Sequence, residues 1–407
     1  MKASPYWIIN ARLECGYEWE QGVVTGTRTE LCDLLIENGK ITRIVPSSEI
    51  LEDGVPKKDA KGLLILPAMA EKHIHLEKTY YGGQWKATTP VKNLFERHAE
   101  DRTLLPMYLK QAQAGAESIL SLLVETGVTH VRTHCHVDPT VGLGFLEGML
   151  RAFETFTDKV SHEIVAFPHY GMLRTQASET VREALRQGAT HVGGVDPGGV
   201  DQDIERSLQT IMELAVEADA DIDLHLHDPG HLGLFTIKRM AAMTEEAGWQ
   251  GRVTISHALG LGDVSLEEAR EVAQQLATLG ISIASTVPIN RPTIPIPLLH
   301  KEGVAVMLGN DSLTDNWTPF GSGDLLEKAG RLAERFRLTD ERSLGVALGF
   351  ATEGRIPLDD AGNRLWPLVG DEASLMAVEA ASSAEAVARR ARRRVVLFQG
   401  NRVAGEW

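Results

Sequence analysis

Two histidines separated by a single residue stand at the end of an apolar run, within LPAMAEKHIHLEKTYYGGQW at residues 66–85. Side chains alternate between the two faces of a strand, so His73 and His75 point the same way while Ile74 points into the packing behind them. Two imidazoles at this spacing can bind one metal ion. Two satisfied polar residues at a strand end are the alternative, and the choice depends on whether later strands supply further ligands.

A catalytic divalent-metal site uses neutral imidazoles and a carboxylate and leaves one position for water, which becomes a hydroxide nucleophile near neutral pH. Later strand ends supply a third imidazole and a carboxylate, His225 and Asp311. His227 faces the same side of its strand as His225 and is the alternative ligand. A base and an acid must also move protons, and His257 and Asp228 stand at comparable strand ends.

Strand-like runs that alternate with helical stretches carry these residues, which is the pattern of a parallel sheet. Eight runs are predicted, at residues 66–75, 129–136, 163–169, 191–196, 221–227, 253–257, 281–287 and 304–311. Over about 250 residues this alternation predicts an α/β fold, a (β/α)8 barrel of the TIM type. The polar residues near the ends of the runs are His75, His134, His136, His169, Asp196, His225, His227, Asp228, His257 and Asp311. In a barrel those ends share the rim that carries the catalytic loops.

The two ends of the chain are predicted to form a second, smaller domain. Residues 32–44 predict a hairpin with Asn38-Gly39 as its two-residue turn, and the C-terminal end adds strand-like runs at 374–379 and 394–398. Neither end has enough apolar residues for a core of its own, so we expect both to pack into one β-sandwich. The expected domains are residues 1–65 plus 367–407 for the sandwich and 66–366 for the barrel.

The bulk composition excludes several classes of partner. A formal net charge of −15 argues against nucleic acid and anionic membranes, since both need basic surfaces. The N-terminal sequence lacks the apolar core of a signal peptide, and no apolar run is long enough to span a membrane. Three scattered cysteines are too few for a disulfide framework, which favours the reduced cytoplasm. The expected partner is a small molecule, and the sequence allows a homo-oligomer.

Several motifs resemble the amidohydrolase superfamily: HIHLEK, DIDLHLHDPG, RVTISHALG and GNDSLTDNWTPFGSGD. Together with VRTHCHVDP, IVAFPHYGML and VGGVDP they are similar to its cytosine-deaminase-like branch, which also contains N-isopropylammelide amidohydrolase. The resemblance runs from about residue 30 to the last strand.

The resemblance implies one divalent metal ion, Zn²⁺ first, with Fe²⁺ or Mn²⁺ as alternatives. The residues that match its ligands are His73, His75, His225 and Asp311. The resemblance also implies that His257 contacts the metal-bound water, that Asp228 carries a proton to the ring nitrogen, and that Trp317 lies beside the substrate ring. With His225 as the ligand, His227 becomes a neighbouring group that orients the site.

The chain departs from the pattern of the branch at positions that handle substrate or protons. His169 stands where cytosine deaminase has a glutamine, and a neutral imidazole offers one donor and one acceptor, like an amide. Asp228 replaces the usual glutamate and is one methylene shorter, while Glu77 stands where aspartate is common. Gln84 and Asp196 are further candidate substrate contacts, with loop closure as the alternative role of Asp196.

Together these features predict a metal-dependent hydrolytic deaminase that releases ammonia from a small N-heterocycle such as a cytosine-like pyrimidine. The alternative among enzymes is an amidohydrolase that releases an alkylamine, or opens an amide bond, in a triazine- or hydantoin-like compound. An alternative of another class is a catalytically silent barrel that acts as a binding module. That alternative predicts lost ligands, whereas all four are present.

Overall fold

Two sheets of eight strands organise the chain in a computed structural model that describes residues 4–51 and 54–407. Residues 1–3, 52 and 53 of the predicted end domain lie outside the described residues. The strands are β1 (Tyr6–Glu20), β2 (Val23–Glu37), β3 (Lys40–Pro46), β4 (Lys57–Asp59), β5 (Leu64–Pro67), β6 (Met69–Ile74), β7 (Val128–His136), β8 (Ser161–Phe167), β9 (His191–Val195), β10 (Asp221–His225), β11 (Val253–Ser256), β12 (Ser282–Ser285), β13 (Val306–Leu308), β14 (Leu375–Val378), β15 (Arg393–Phe398) and β16 (Asn401–Gly405).

The first sheet combines strands from both ends of the chain, in the order β16-β15-β14-β5-β1-β2-β3, with β4 paired to β1. The predicted Asn38-Gly39 turn joins β2 to β3, and both turn residues have the positive φ that a two-residue hairpin loop requires. Apolar side chains of both ends, such as Ile8, Leu34 and Leu375, share one core. The predicted association of the two chain ends is confirmed.

The second sheet is parallel and contains β6 to β13 in sequence order. A bridge between Ile74 and Asp311 brings its first and last strands together, and Asp311 N donates to His73 O over 2.7 Å. All eight predicted strands are present in this nearly closed ring, which confirms the (β/α)8 barrel. Most of them stop before the predicted boundary, because the polar residues at their ends already belong to the loops of the rim.

Helices follow the barrel strands and connect the two sheets. They are α1 (Leu94–Glu125), α2 (Gly144–Thr155), α3 (Ser178–Arg186), α4 (Ile204–Ala218), α5 (Gly230–Ala247), α6 (Leu266–Leu279), α7 (Ile296–Lys301), α8 (Leu325–Phe336), α9 (Glu341–Gly349) and α10 (Ser383–Arg389). No helix among the described residues combines the length and the apolar character that crossing a membrane requires.

The first predicted barrel strand, residues 66–75, is divided in the structure. Leu66 and Pro67 end β5, which pairs with β14 in the first sheet, whereas β6 begins at Met69. Pro67 has no N–H to donate to a ladder, and the next N–H, that of Ala68, donates to Ser374 O over 3.2 Å. The chain therefore passes from the first sheet into the barrel just before it reaches the two histidines.

Candidate active site

Four side chains of the barrel rim converge on one point. The distance from His75 Nε2 is 3.3 Å to His225 Nε2 and 3.3 Å to Asp311 Oδ1, and His73 Nε2 lies 3.6 Å from the same Asp311 oxygen. Two ligands of a tetrahedral zinc ion, each about 2.0–2.1 Å from the metal, lie about 3.3–3.4 Å apart. The spacing of these atoms therefore fits one small divalent cation.

Unpartnered nitrogen atoms give a second, independent test of the fit. Within residues 4–51 and 54–407, His73 Nε2, His225 Nδ1 and His257 Nε2 are buried and have no hydrogen-bond partner. Buried polar atoms are normally paired, so the unpaired Nε2 atom of His73, which faces Asp311, indicates that a further group binds at this point. Three groups of potential metal ligands among the described residues share His73, and two of them combine it with rim residues, one with His225 and His257 and the other with His75 and Asp311. A divalent metal fits the residues that are present.

The charge state of the rings agrees with this interpretation. Burial holds the pKa of both His225 and His257 well below the usual value, which keeps the rings neutral. Burial would also lower the pKa of His75, but the carboxylates of Asp311 and Glu77 outweigh it and raise that pKa to about 10. A divalent cation can take the place of this proton between the carboxylates, since ligand imidazoles are neutral.

The seam between the first and last barrel strands sets the spacing of the ligands. The carboxylate of Glu71 accepts the N–H groups of His73 and Asn310, over 2.9 and 3.0 Å. A Cβ atom at Gly309 would lie 2.5 Å from His73 Cβ, so only glycine permits this approach. Asp311 itself has a φ of 64°, in the left-handed region that is costly for a side-chain-bearing residue. The backbone is thus held so that His73 and Asp311 face each other.

The loop after β9 holds the next pair of predicted residues. The Asp196 carboxylate lies 3.0 Å from His227 Nδ1 and also accepts the backbone N–H groups of His227 and Asp228. The structure therefore gives Asp196 the loop-closing role, although its side chain also borders the cavity described below. His227 lies two residues beyond the end of β10 and is absent from the groups of potential ligands that the described residues form, whereas His225 is present.

Asp228 is positioned to hold a proton. Its carboxylate accepts the N–H groups of Gly198 and Gly199, each over 3.0 Å. Burial raises the pKa of Asp228, and the nearby Asp196 carboxylate raises it further. The side chain borders the same cavity as His257 and Asp311.

A cavity of about 580 Å³ opens in front of these residues, within the usual size range for small-molecule sites. The predicted substrate contacts His169 and Trp317 line it, as Asp196 does. Both ring nitrogens of His169 and Nε1 of Trp317 are buried without a partner in the described part of the chain, and burial holds the pKa of His169 well below its usual value. Gln84 is exposed and is not among the described residues that line the cavity, because the loop beyond Tyr81 turns outward.

Helix α1 contributes cavity residues that the sequence analysis did not identify. His98 lines the cavity beside His169, with ring centroids 5.3 Å apart. Asp101, one helical turn later, accepts hydrogen bonds from Lys78 Nζ over 2.9 Å and from the Tyr170 hydroxyl over 2.7 Å. His98 and Asp101 continue the buried stripe of α1. The signal in the sequence that could have identified them is the presence of polar residues on an otherwise apolar face of the helix.

His134 and His136 of the second barrel strand lie beside the four proposed ligands, and their rim role stays a prediction. Among the described residues, His134 belongs to a group of potential metal ligands with His73 and Asp223, whereas His136 belongs to none. His136 Nε2 pairs with Asp138 over 2.8 Å. His134 packs under the cluster, with its ring centroid 4.2 Å from that of His73.

Comparison with known proteins agrees with the site. The sequence model of the amidohydrolase family matches residues 58–404. Protein YahJ of Escherichia coli strain K12, which is uncharacterized, is 37% identical over 406 residues, which cover 98% of this chain and 88% of YahJ.

Two solved structures resemble the whole chain. N-isopropylammelide isopropylaminohydrolase from Burkholderia multivorans has a TM-score of 0.88 and 31% identity, with 99% of both chains covered. 5-Methylcytosine deaminase from Klebsiella pneumoniae, in complex with 5-fluorocytosine, has a TM-score of 0.79 and 25% identity, with 98% of both chains covered. The chain therefore belongs to the amidohydrolase family and to the hydrolases that act on carbon–nitrogen bonds.

Proposed function

We propose that this protein is a metal-dependent aminohydrolase that cleaves an exocyclic carbon–nitrogen bond of a small N-heterocycle and releases ammonia. The observation that carries the proposal is the cluster of unpartnered imidazole nitrogens beside Asp311, in a cavity that also contains a protonatable Asp228. A metal centre and a proton donor that face the same small cavity are what hydrolysis of an amino-substituted ring carbon requires.

One divalent ion is the proposed cofactor, with Zn²⁺ preferred over Fe²⁺ and Mn²⁺. Its proposed ligands are His73, His75, His225 and Asp311. When bound, the ion supplies an ionisable water as the nucleophile near neutral pH.

Three side chains are proposed to move protons. Asp311 and the neutral ring of His257 take up the proton of the attacking water. Asp228 delivers a proton to the ring nitrogen next to the attacked carbon, since burial and the nearby Asp196 carboxylate raise its pKa and so favour the protonated form. The amino group of the tetrahedral adduct then takes the proton held by Asp311 and His257, and the carbon–nitrogen bond breaks to release ammonia. The hydroxyl proton of the adduct passes to Asp228 as the carbonyl group forms, which restores the proton that Asp228 gave to the ring nitrogen.

His169 and Trp317 are proposed to position the ring. The unpartnered nitrogens of both side chains can form hydrogen bonds with the polar edges of a heterocycle. A bound ring therefore removes the free-energy cost of leaving these buried nitrogens unpaired. His169 is neutral and can present a donor on one nitrogen and an acceptor on the other.

A second candidate reaction is the release of an alkylamine from an N-alkylated ring. Two observations favour it: the likeness to N-isopropylammelide isopropylaminohydrolase over 99% of both chains, and a cavity of about 580 Å³ that accommodates a substituent as well as a ring. Asp228, one methylene shorter than glutamate, leaves additional space beside the leaving group.

A substrate screen distinguishes these reactions. Purified, metal-loaded protein would be given amino-substituted pyrimidines, purines, pterins and triazines, each with its N-isopropyl derivative, and both ammonia and isopropylamine would be measured. Ammonia release from unsubstituted amines that is faster than isopropylamine release supports the first reaction, and the reverse order supports the second. A protein that holds no stoichiometric metal by elemental analysis and releases neither product would be a binding module, which contradicts the proposal.

A further inference from the structure

The ring of His73 makes two different contacts, one on each nitrogen. Its Nε2 atom faces Asp311, whereas Nδ1 lies 2.8 Å from the hydroxyl oxygen of Ser256. That hydroxyl lies 2.6 Å from Asp223 Oδ1. His73, Ser256 and Asp223 have side chains that are essentially inaccessible to solvent, so water does not compete for these contacts.

The second oxygen of Asp223 is also occupied. Arg132 Nη1 donates to Asp223 Oδ2 over 3.0 Å and to Thr254 Oγ1 over 2.9 Å, while Arg132 Nε donates to Glu163 over 2.6 Å. A guanidinium offers only donors, so it pairs with the ionised carboxylate, which only accepts. Both oxygens of Asp223 therefore accept hydrogen bonds, and the carboxylate has no proton to give.

The direction of each hydrogen bond follows from counting protons. Ser256 has one hydroxyl proton, and the ionised Asp223 can only accept, so Ser256 donates to Asp223. The contact between Ser256 and His73 then needs its proton from the ring, which makes Nδ1 the protonated nitrogen of His73. A neutral imidazole has one N–H, so Nε2 carries the free lone pair.

We propose that Asp223 and Ser256 are positioning residues that fix the Nδ1–H tautomer of His73 and so keep its Nε2 atom available to the metal. We call the three residues the Asp223–Ser256–His73 relay. The proposal rests on the proposed metal centre but adds two residues outside the ligand set. His73, His134 and Asp223 also form a group of potential metal ligands, but in the relay Asp223 is fully engaged with Ser256 and Arg132.

The relay makes an unusual prediction for the near-isosteric substitution Asp223→Asn. With the amide oxygen kept on Arg132, the amide nitrogen faces Ser256 and donates to its hydroxyl oxygen. Ser256 then gives its own proton to His73 Nδ1, and the ring proton moves to Nε2, where the metal should bind. Asp223→Asn therefore reverses the direction of both hydrogen bonds that Ser256 makes. Ser256→Ala only removes these hydrogen bonds and leaves both tautomers of His73 accessible.

Metal affinity of the apo-protein, titrated with Zn²⁺ against a chelating indicator, tests this ranking. We expect Ser256→Ala to weaken binding about 10-fold and Asp223→Asn about 100-fold, the range found when groups that orient metal ligands are removed. The double variant should bind Zn²⁺ about as tightly as Ser256→Ala and therefore more tightly than Asp223→Asn alone. Without the Ser256 hydroxyl, no group donates a proton to His73 Nδ1. Thr244→Val is the matched control: it removes a buried hydroxyl of α5 that donates to Met240 O and contacts no residue of the relay, and should bind like the wild type.

Nitrogen-15 spectra of histidine-labelled apo-protein test the tautomer directly, with His73→Asn used to assign the signals. The wild type should show His73 protonated at Nδ1, and Asp223→Asn should show it protonated at Nε2. An Nε2-protonated ring in the wild type, or an affinity of Asp223→Asn equal to that of Thr244→Val, overturns the relay. A wild type that binds no stoichiometric Zn²⁺ but shows the Nδ1–H tautomer would refute the proposed metal centre while leaving the relay intact.

Discussion

The interior of the barrel contains two polar layers that treat their charges differently. The paired layer, nearer the N-terminal ends of the strands, consists of Lys72, Arg132, Glu163, Asp223 and Glu353. Its cations meet its carboxylates directly: Lys72 Nζ lies 3.0 Å from Glu163 and 2.9 Å from Glu353. The open layer, at the rim, consists of His73, His75, His225, His257 and Asp311, and in the described structure three of its imidazoles keep a nitrogen without a partner.

This difference separates structural polar groups from functional ones. A buried polar atom left unpaired costs about 1–3 kcal/mol, so the open layer lowers the stability of the free protein unless something binds there. The paired layer carries no such cost, since each of its charges has a counter-charge. The two layers also touch, because Asp223 belongs to the paired layer and reaches His73 through Ser256. The fully hydrogen-bonded groups of the paired layer therefore support the metal ligands of the open layer.

The largest expected effect comes from removing one imidazole of the open layer. His225→Ala should lose the metal and reduce turnover by at least about a thousandfold, because a catalytic metal contributes several kcal/mol to the transition state. Metal content by elemental analysis and turnover on the best substrate check this. His191→Ala is the control, since His191 is also buried but its Nδ1 already pairs with Thr190 over 2.8 Å. Normal metal loading in His225→Ala would refute the ligand assignment.

A smaller effect is expected from removing the proposed proton donor beside the open layer, Asp228. Asp228→Asn keeps the size of the side chain but cannot deliver a proton, so turnover should fall about 10²–10⁴-fold with metal content unchanged. Asp201→Asn is the matched control: Asp201 accepts backbone N–H groups of Leu173 and Arg174 in the same way, but the cavity lining found among the described residues does not include it. Equal losses in both variants would mean that Asp228 only holds its loop.

The sequence predicts the open layer well because its residues stand in regular places. Side-chain alternation puts His73 and His75 on one face, and the polar residue at the end of each later run marks the rim. The same reasoning explains why the eight strands were found but the break at Pro67 was not. The run of apolar residues from Leu64 to Ala70 is continuous, and only the pairing of β5 with β14, more than 300 residues away, divides it.

The contacts that support the site could not be predicted from the sequence. Asp223 and Ser256 lie on neighbouring strands, and they meet because β10 and β11 pair with His225 beside Ser256, a register that no local pattern specifies. Likewise, Lys78 finds Asp101 only because α1 lies against the mouth of the barrel. Gln84 shows the opposite case, since the sequence suggests a substrate contact, whereas its side chain is exposed and does not line the cavity formed by the described residues.

A paired-layer residue that does not belong to the Asp223–Ser256–His73 relay should respond to mutation through stability alone. Lys72→Met leaves Glu163 and Glu353 without their shared cation and should lower the free energy of unfolding by about 3–4 kcal/mol, near the lower end for breaking a buried pair because both carboxylates keep some solvent access. Urea unfolding measures this, and elemental analysis should show unchanged metal content. Lys238→Met, at an exposed position of α5, should change stability by less than about 0.5 kcal/mol. Loss of metal in a folded Lys72→Met protein would contradict the separation of the layers.

Glu14 of β1 offers a third arrangement, because its buried carboxylate receives hydrogen bonds but, among the described residues, none from a cation. The backbone N–H and the hydroxyl of Ser383 donate to its carboxylate, yet burial raises the pKa of Glu14 to about 7. The folded carboxyl thus keeps its proton up to about pH 7, whereas the unfolded one loses it near its ordinary value of 4.5. Between these values the folded state binds more protons, so this contribution to stability is complete below pH 4.5, falls as the pH rises, and levels off above about pH 7.

Glu14→Gln removes this titration while keeping an oxygen that accepts from Ser383. Between pH 5 and pH 8 the wild type should therefore lose about 2–3 kcal/mol of unfolding free energy relative to the variant. Urea unfolding at several pH values measures the difference, and Glu18→Gln, at an exposed position of the same strand, should keep the wild-type pH dependence. If the unfolding free energy of Glu14→Gln had the same pH dependence as that of the wild type, two neutral donors would be sufficient to keep a buried carboxylate ionised. The cations of the paired layer would then no longer be needed to explain why its carboxylates are ionised.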